Sequence, residues 1–349
     1  MPISLTEEKR AAATQLAELF RKGQRVCLTT HVSPDCDGLG SEAGILHLLR
    51  DRGIEAVVTN PSPTPPRLQF IFDGLPGVDK TADAVNELSR ADVIVVLDIS
   101  DIGRLGALGP VVQERGVPVA CIDHHVSEGS LPEGPRYVDP TAAATGELIF
   151  EIAVACGWDV TQPIAQALYV AIMTDTGGFR FSNTHPRTLR IGADLLERGL
   201  HPDQIYSQVY ASVPEGRPRM IGEALQTMVV EHDIGLAWIT VPPGSMKRHG
   251  LTADDLDGVV EFPRSIEGVN MALMFREISR GRVKVSLRSV GDVDVADFAH
   301  LFGGGGHTKA AGLSVEGSLA AVQTQVLEAA RGYLAGEGNG GGPGKGQEG

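Results

Sequence analysis

Short, uninterrupted apolar runs alternate with longer segments of helical spacing over the first half of the chain. Residues 93–97 and 117–122 are the clearest of these runs, and they have the composition of strands buried on both faces, as in a parallel sheet. Strands that alternate with helices predict a doubly wound α/β domain with a mainly parallel sheet. The other elements predicted in this part are helices over residues 6–22 and 38–50, strands over residues 25–30 and 54–60, and a proline-rich loop over residues 61–66.

The second half of the chain has a different pattern. Helical spacing from Pro186 to about Glu231, interrupted by prolines, predicts a helical linker. Strand patterns and a final helix follow, and they predict a smaller α/β domain with a mixed sheet. These later elements are strands over residues 236–241, 269–276 and 282–288 and a helix over residues 319–334. The predicted division is a first domain at residues 1–186, the linker at 187–231, a second domain at 232–335 and a disordered glycine-rich tail at 336–349.

Composition limits the partners that the chain can have. With 44 acidic against 30 basic residues and a formal net charge of −14, it lacks the basic excess typical of proteins that bind long duplex nucleic acid. A small anion held by a few local cations or by metal ions is compatible with this charge. No apolar run approaches the roughly 18 residues that span a bilayer, and the first residues lack the shape of a signal peptide. The four cysteines form no CxxC pair, which argues against a disulfide scaffold and a zinc finger. Together these features predict a cytoplasmic protein without a membrane partner.

Acidic and histidine side chains gather at the ends of the predicted strands. Because sites in open α/β sheets lie at the carboxyl ends of strands, four segments are expected to bring these side chains to one place. A single aspartate after a strand, such as Asp35, is more often a turn residue or a helix N-cap, so the joint occurrence carries the prediction. The candidates are His31, Asp35 and Asp37 after the first strand, Asp98 after residues 93–97, Asp123, His124 and His125 after residues 117–122, and Asp175 after another apolar run, at a fourth strand end.

Converging carboxylates need compensation, because they repel one another and raise one another's pKa. Divalent cations supply it, and carboxylate–imidazole donors without thiolates suit Mn²⁺ or Mg²⁺ better than structural zinc. The number of donors favours two ions, with Asp35 and Asp37 directed at different ions and Asp98 bridging them. Two ions about 3.5–4 Å apart are the arrangement that cleaves phosphoesters, since they generate hydroxide and stabilise charge on the attacking and leaving oxygens.

Four consecutive glycines form a second candidate site. Apolar sequence precedes the run and His307 follows it, unlike the glycines of the C-terminal tail. Glycine lets backbone N–H groups approach an anion closely, so Gly304, Gly305, Gly306 and His307 are predicted to bind a phosphate or nucleotide. The alternative for the run is a flexible loop.

Three arginines are candidates for holding phosphate. Arg288 ends the predicted strand 282–288, and its guanidinium is expected to hold the terminal phosphate of a substrate in a bidentate fork. Arg104 and Arg180 lie near the acidic motifs in sequence and are weaker candidates, as is Lys309. An ordinary surface position is the alternative for each.

These motifs resemble those of the DHH phosphoesterases and of the DHHA1 domain that often accompanies them. The resemblance covers the chain from about Arg25 to Leu334, and it implies a catalytic first domain and a substrate-binding second domain. It rests on His31-x3-Asp35-x-Asp37-Gly, Asp98, Asp123-His124-His125 and the segment GGGGHTKAAG at residues 303–312.

The resemblance also implies roles for the site residues. One Mn²⁺ would be held by His31, Asp35 and Asp98, and a second by Asp37, Asp98, His124 and Asp175, with Mg²⁺ or Co²⁺ as other candidate metals. His125 would face the scissile phosphate, and Asp123 would orient an imidazole through its other ring nitrogen. Cys36 departs from the small residue usual between the two motif acids, which puts the native metal in question.

By length and layout the chain is most similar to the bacterial NrnA-type oligoribonucleases, or nanoRNases. This likeness implies hydrolysis of short 5′-phosphorylated oligonucleotides to 5′-mononucleotides and dephosphorylation of 3′-phosphoadenosine 5′-phosphate (pAp). Short oligonucleotides and nucleotide phosphates are then the expected partners, while homodimerisation stays open.

Several alternatives to this activity stay open. Within the family they are a cyclic di-AMP phosphodiesterase and a RecJ-like 5′–3′ single-strand exonuclease, although RecJ is normally longer. An inorganic pyrophosphatase shares the metal half but has a different second domain. A non-catalytic nucleotide sensor or RNA-binding module would not need the complete donor set.

Overall fold

The computed structural model describes residues 4–127 and 129–336, and these form two compact units divided between Ser212 and Val213. The predicted disordered tail lies outside the described residues, apart from Gly336. No described helix is long and apolar enough to cross a membrane.

The first unit contains a five-stranded parallel sheet with the strand order β2-β1-β3-β4-β5. This order confirms the predicted doubly wound α/β architecture. Its strands are β1 (Arg25–Thr29), β2 (Glu55–Val58), β3 (Val93–Leu97), β4 (Val119–Asp123) and β5 (Arg136–Val138). Its α-helices are α1 (Glu7–Ala17), α2 (Cys36–Arg50), α3 (Ala84–Ser89), α4 (Leu108–Glu114), α5 (Thr145–Ala155), α6 (Gln162–Asp175), α7 (Pro186–Leu196) and α8 (Pro202–Tyr210). Short 3-10 helices cover Pro66–Phe72, Thr81–Asp83 and Ile102–Leu105.

Each central strand of this sheet contributes to two hydrophobic cores. Along β3, Val93, Val95 and Leu97 pack in the larger core, which includes residues of α1, α2, α5 and α6, while Ile94 and Val96 face the opposite core with α3 and α4. Side chains of a strand alternate between the faces of a sheet, so apolar cores on both faces require the continuous apolar run seen in the sequence. All five residues of β3 are fully buried, as predicted.

The second unit contains a six-stranded sheet with the order β10-β11-β9-β8-β7-β6. The β7–β8 pair is parallel and the remaining pairs are antiparallel, which confirms a mixed sheet. The strands are β6 (Val229–Glu231), β7 (Leu236–Thr240), β8 (Met271–Ser279), β9 (Arg282–Ser289), β10 (Gly305–His307) and β11 (Ala310–Glu316). The helices are α9 (Gly216–Leu225), α10 (Ser245–Arg248), α11 (Glu261–Arg264), α12 (Val295–His300) and α13 (Leu319–Leu334), with a 3-10 helix at Ala253–Leu256.

Some predicted elements differ from the structure where the hydrophobic pattern is weak. The first helix ends at Ala17 rather than residue 22, and the Pro66–Phe72 helix begins inside the predicted proline-rich loop. The sequence predicts helical spacing up to about Glu231, but Val229–Glu231 forms a short, half-buried strand against β7. Three residues are too few for a periodic pattern to separate strand from helix.

A buried carboxyl group connects α2 to the end of β1. Glu42 is fully buried, and its Oε2 accepts a hydrogen bond from Asn60 Nδ2 at 2.9 Å. Asn60 Oδ1 in turn accepts the Thr30 backbone N–H at 2.9 Å. Glu42 Oε1 has no hydrogen-bond partner among the described residues. Burial raises the pKa of Glu42 to about 8, although the Asn60 hydrogen bond opposes this shift.

We predict that Glu42→Gln stabilises the protein increasingly as pH rises. Folded Glu42 keeps its proton up to about pH 8, whereas an unfolded glutamate loses it near pH 4.3. Folding therefore takes up a proton between these values, and the free energy of unfolding of the parent falls by up to about 1.4 kcal/mol per pH unit through this group. Glutamine removes this dependence, so denaturant unfolding with a chelator present should show a gap between the two proteins that widens from pH 5 to pH 8.

The exposed carboxylate of Glu114 provides the control. Glu114→Gln should keep the pH dependence of the parent. A constant gap between Glu42→Gln and the parent across this pH range would show that Glu42 is ionised in the folded protein.

Candidate metal centre

Three strand ends deliver acids and imidazoles to one edge of the parallel sheet. His31 lies two residues beyond β1, Asp98 directly follows β3, and Asp123 ends β4 with His124 and His125 after it. The strands β1, β3 and β4 are neighbours and run parallel, so their carboxyl ends lie side by side. Asp98 has a left-handed backbone, with φ of 59°, which is uncommon for a residue other than glycine.

Asp35 is both a helix N-cap and a member of the donor cluster. Its Oδ1 accepts hydrogen bonds from the backbone N–H groups of Asp37 and Gly38 at 3.0 and 3.1 Å, at the start of α2. Its Oδ2 lies 3.6 Å from His31 Nε2. The capping role and the ligand role are therefore divided between the two oxygens of one carboxylate.

The prediction that Asp175 follows a strand is wrong, although the residue reaches the predicted place. Asp175 is the last residue of α6, and its Oδ2 lies 3.6 Å from His124 Nε2. The apolar run before it belongs to a helix whose neighbours include α2 and α5, with residues 167–173 all buried. A helix covered on most sides is apolar all round, and its sequence then resembles that of a buried strand.

The donor atoms form three overlapping sets, within each of which the atoms lie no more than 4.8 Å apart. Asp98 belongs to two of the sets through different oxygens: Oδ2 lies 3.6 Å from His31 Nε2, and Oδ1 lies 3.6 Å from His124 Nε2. The sets are His31–Asp35–Asp98, Asp98–His124–His125 and Asp37–His124–Asp175.

These separations fit metal ligands better than a hydrogen-bonded cluster. A distance of 3.6 Å is too long for a hydrogen bond, and it is close to the roughly 3.0–3.4 Å that separates two ligands about 2.1 Å from one small ion. The chemistry of the donors, carboxylate oxygens with imidazole nitrogens, suits Mn²⁺ or Mg²⁺. Cys36 is in none of the sets, and it packs in the larger core of the described residues. The residues therefore fit one or more divalent ions.

The acids and imidazoles shift one another's proton affinity. Burial and the charge of Asp98 raise the pKa of Asp37 well above its ordinary value. Burial alone would raise the pKa of Asp98, but the surrounding imidazoles outweigh it and lower that pKa. Burial lowers the pKa of His31, while its pairs with Asp35 and Asp98 raise it, to about 10. A divalent cation would compete with protons for these groups, because metal ligands must be deprotonated.

Each imidazole is oriented through its Nδ1. His31 Nδ1 lies 2.9 Å from the Val32 carbonyl oxygen, and His124 Nδ1 lies 3.4 Å from that of Ala142, so both rings present Nε2 to the acids. His125 Nδ1 lies 2.8 Å from Asp123 Oδ1, which also accepts the His125 backbone N–H at 3.1 Å. Asp123 is in none of the donor sets of the described residues, and it contacts an imidazole instead.

Two polar side chains that the sequence analysis did not single out also contact this cluster. Thr145 Oγ1 donates to Asp98 Oδ1 at 3.0 Å, and the Thr145 backbone N–H donates to Asp37 Oδ2 at 2.7 Å. Asn183 Nδ2 donates to the Asp175 carbonyl oxygen at 3.1 Å. Neither residue belongs to a motif of acids or histidines, so its position becomes visible only in the fold.

The two arginines predicted near the acidic motifs both lie in the first unit. Arg104 is half-buried in the Ile102–Leu105 helix, and its carbonyl oxygen accepts the Val32 N–H at 2.8 Å, beside His31. Arg180 is exposed, with its guanidinium carbon 5.6 Å from the ring centroid of Phe181. Their role in binding substrate stays a prediction.

The cationic candidates of the second unit have partners within that unit. Arg288 lies in β9, opposite a residue of β11, and its side chain contacts α11. Its Nε donates to Glu261 Oε1 at 2.9 Å, and its Nη1 donates to the Leu287 carbonyl oxygen at 3.0 Å. Lys309 Nζ donates to the carbonyl oxygens of Gly291 and Val293. Glu261 also pairs with Arg264, so one carboxylate holds two arginines.

The glycine run folds back on β11. A Cβ at Gly304 would lie 2.4 Å from the Gly312 carbonyl oxygen. One at Gly306, where φ is 145°, would lie 2.5 Å from the Ala310 oxygen and 2.6 Å from the Ala311 Cα. At Gly305 the nearest atom would be His300 Nε2 at 3.6 Å, an ordinary contact. Packing therefore requires glycine at two of the predicted contact positions, and the third, Gly305, lies in β10 with room for a side chain.

We predict that Gly306→Ala destabilises the protein while Gly305→Ala does not. The new methyl group at 306 meets backbone atoms in a disfavoured conformation, which costs about 1–3 kcal/mol of unfolding free energy. Chemical denaturation of both variants and the parent measures the difference. Equal stabilities of the two variants would contradict the packing described for β10 and β11.

The parallel sheet with its cluster of donors, joined in sequence to a mixed-sheet unit, defines a class of phosphoester hydrolases. The sequence matches the N-terminal domain of the DHH family over residues 25–172 and the DHHA1 domain over residues 236–336. The chain belongs to the DHH family, as its motifs predicted.

Known proteins similar to the chain agree with this assignment. It is 33% identical to the bifunctional oligoribonuclease and PAP phosphatase NrnA of Thermus thermophilus, over 88% of this chain and 89% of that protein. It is 25% identical to the cyclic-di-AMP phosphodiesterase PdeA of Listeria monocytogenes, over 94% of this chain but 50% of that protein. The crystal structure of an exopolyphosphatase-related protein from Bacteroides fragilis superposes with a TM-score of 0.87 at 29% identity, covering 95% of this chain and all of that one.

Proposed function

We propose that the chain is an oligoribonuclease that hydrolyses short 5′-phosphorylated oligonucleotides to 5′-mononucleotides and also removes a phosphate from pAp. The observation that carries this proposal is the cluster of donors in which Asp98 directs its two oxygens at two different histidines. The relative from Thermus thermophilus, similar along nearly its whole length, has these two activities in its name.

Two divalent cations, Mn²⁺ by preference and Mg²⁺ or Co²⁺ as alternatives, are part of the proposal. His31, Asp35 and Asp98 would hold one, and Asp37, Asp98, His124 and Asp175 the other. Such a pair lowers the pKa of water and stabilises negative charge on a phosphoryl group. The residues support a pair because Asp35 and Asp37 belong to different sets and Asp98 faces both His31 and His124.

His125 is assigned to the reacting phosphate. Its Nδ1 lies 2.8 Å from Asp123 Oδ1, an interaction that orients the ring, and Nε2 would hydrogen-bond to a phosphate oxygen or protonate the leaving group. Asp123 itself is fully buried at the end of β4, so the ring orientation is set by a rigid element. Asp123 is therefore a positioning residue for His125.

Substrate recognition is assigned to the second domain, residues 232–335, with residues 1–186 carrying the chemistry and 187–231 as the linker. Arg288 with Gly304, Gly305, Gly306 and His307 would bind the terminal nucleotide, and Arg104 and Arg180 would contact phosphate beside the donor cluster. The cytoplasm is the proposed compartment, on the cysteine usage and the pattern of the first residues described in the sequence analysis.

A second candidate is the hydrolysis of a cyclic dinucleotide. The similarity to a cyclic-di-AMP phosphodiesterase along 94% of this chain favours it. Cyclic and linear dinucleotides present the same phosphodiester bond to the donor cluster, so only the substrate comparison below separates them.

The proposed activity predicts turnover that falls with substrate length. Protein with Mn²⁺ would be given 5′-phosphorylated RNA and DNA ladders from dinucleotides to long single strands, with pAp and cyclic di-AMP in parallel. We expect the highest kcat/KM for the shortest linear RNA, and loss of activity with a chelator. Faster cleavage of cyclic di-AMP would favour the second candidate, and undiminished cleavage of long strands would indicate a RecJ-like exonuclease.

Asp98→Ala tests the donor cluster in the same assay. It should lower kcat/KM by more than the 10–100-fold typical of residues that only support a ligand. Asp51→Ala changes an exposed carboxylate at the end of α2 and should leave the rate unchanged. Full activity of Asp98→Ala would contradict the proposed centre.

Arg288→Ala tests the phosphate anchor. Because a charge-assisted hydrogen bond contributes about 1.5–3 kcal/mol, its loss should raise KM for 5′-phosphorylated dinucleotides about 10- to 100-fold. Dinucleotides without the 5′-phosphate should be affected little. Arg264→Ala removes the other arginine that pairs with Glu261, and it is the matched control. Equal effects of Arg288→Ala on both substrates would show that Arg288 does not bind this phosphate.

A further inference from the structure

One short segment, residues 142–146, runs along the donor cluster and contacts several of its members. At Thr145 the backbone N–H donates to Asp37 Oδ2 at 2.7 Å and the hydroxyl donates to Asp98 Oδ1 at 3.0 Å. The next N–H, from Gly146, donates to Asp37 Oδ1 at 3.0 Å. The start of α5 therefore holds both oxygens of one carboxylate and one oxygen of another.

The same segment also contacts His124 directly and Asp175 through the side chain of Asn183. The Ala142 carbonyl oxygen lies 3.4 Å from His124 Nδ1. The Ala143 carbonyl oxygen accepts a hydrogen bond from Asn183 Nδ2 at 3.0 Å, and that amide also donates to the Asp175 carbonyl oxygen at 3.1 Å. Two carbonyl acceptors identify this end of the Asn183 side chain as the NH₂ group.

A partly buried ion-pair network also contacts the segment. Glu147 is fully buried, and its Oε2 accepts from the Ala143 N–H at 3.3 Å and from the Thr188 hydroxyl at 3.0 Å. Its Oε1 pairs with Arg187, whose guanidinium also lies 3.1 Å from Glu151. The segment is therefore fixed to both α5 and α7.

Close packing leaves the start of α5 little room to move. A Cβ at Gly146 would lie 2.6 Å from the Ala171 Cβ and 3.3 Å from the Leu168 carbonyl oxygen, both on α6. The glycine thus brings the N–H groups of α5 to Asp37 while α6, which ends in Asp175, packs against them. Thr145 is fully buried in this position.

We propose that Thr145 is a positioning residue that sets the bridging geometry of Asp98, with Asn183 as a second support through Asp175. Thr145 donates to Oδ1 of Asp98, the oxygen that faces His124. This hydrogen bond fixes the rotation of the carboxylate, and the rotation in turn directs Oδ2 at His31. This inference rests on the metal centre proposed above. Residues that orient metal ligands typically change metal affinity 10–100-fold when they are removed.

The test measures metal binding rather than turnover. Mn²⁺ would be titrated calorimetrically into chelator-treated full-length protein, and we expect Thr145→Val to weaken binding about 10–100-fold. Thr145→Ser keeps the hydroxyl and should restore affinity to within a few-fold of the parent. Thr59→Val is the matched control, because it removes a fully buried hydroxyl that donates to the Leu28 carbonyl oxygen at 3.1 Å instead of to an acid.

Thermal unfolding of the same variants separates positioning from stability. A fall in melting temperature shared by Thr145→Val and Thr59→Val, with Mn²⁺ affinity lost only in the former, supports the inference. Should Thr145→Val fail to fold, Asn183→Ala provides the second variant, with weaker Mn²⁺ binding again expected. The inference is overturned if Thr145→Val, or Asn183→Ala in its place, folds and binds Mn²⁺ as tightly as the parent.

Asp98→Asn distinguishes failure of this inference from failure of the proposed function. If Asp98→Asn loses Mn²⁺ binding while Thr145→Val and Asn183→Ala keep it, the metal centre stands and the positioning role is wrong. If Asp98→Asn binds Mn²⁺ as the parent does, the metal centre itself is wrong.

Discussion

Repulsion between carboxylates at one edge of the parallel sheet is the constraint on which the rest of the first unit depends. Asp37 and Asp98 are both almost fully buried, where negative charge is poorly screened. Imidazoles, a threonine hydroxyl and backbone N–H groups face the oxygens of these two carboxylates. These donors reduce the repulsion, and the spacing of the remaining oxygens and nitrogens suits cations that complete the balance.

The doubly wound architecture brings these groups together with few special residues. Parallel strands place their ends side by side, and the helices that start beside this edge add backbone donors. Asp35 caps α2, and the first N–H groups of α5 donate to Asp37. The helix α6 approaches with its C-terminal end, which brings Asp175. A negative side chain is disfavoured at the C-terminus of a helix, so a cation bound there would stabilise that helix end as well.

The sequence predicted those features that leave a periodic or charged pattern. Residues 93–97 and 319–334 have the bounds of β3 and α13. The first is a five-residue apolar run between two cores, and the second is a long helix with a regular amphipathic pattern. Asp175 was assigned to the right cluster but the wrong kind of element, since a helix buried on most sides loses its period. Thr145 and Asn183 could not be predicted, because single polar residues carry no pattern. The strand β10 could not be predicted either, because glycines have no side chains that alternate between the faces of a sheet.

The divided carboxylate of Asp35 has a practical consequence for making inactive but intact protein, as substrate-trapping studies require. One oxygen caps α2 and the other faces His31, so alanine at this position removes a helix cap, at about 0.5–2 kcal/mol, together with a donor. Asparagine keeps a capping oxygen with less negative charge. Asp35→Asn therefore removes charge from the donor cluster while it keeps the helix cap. In a variant that also loses the cap, low activity could result from lost stability instead of from the changed site.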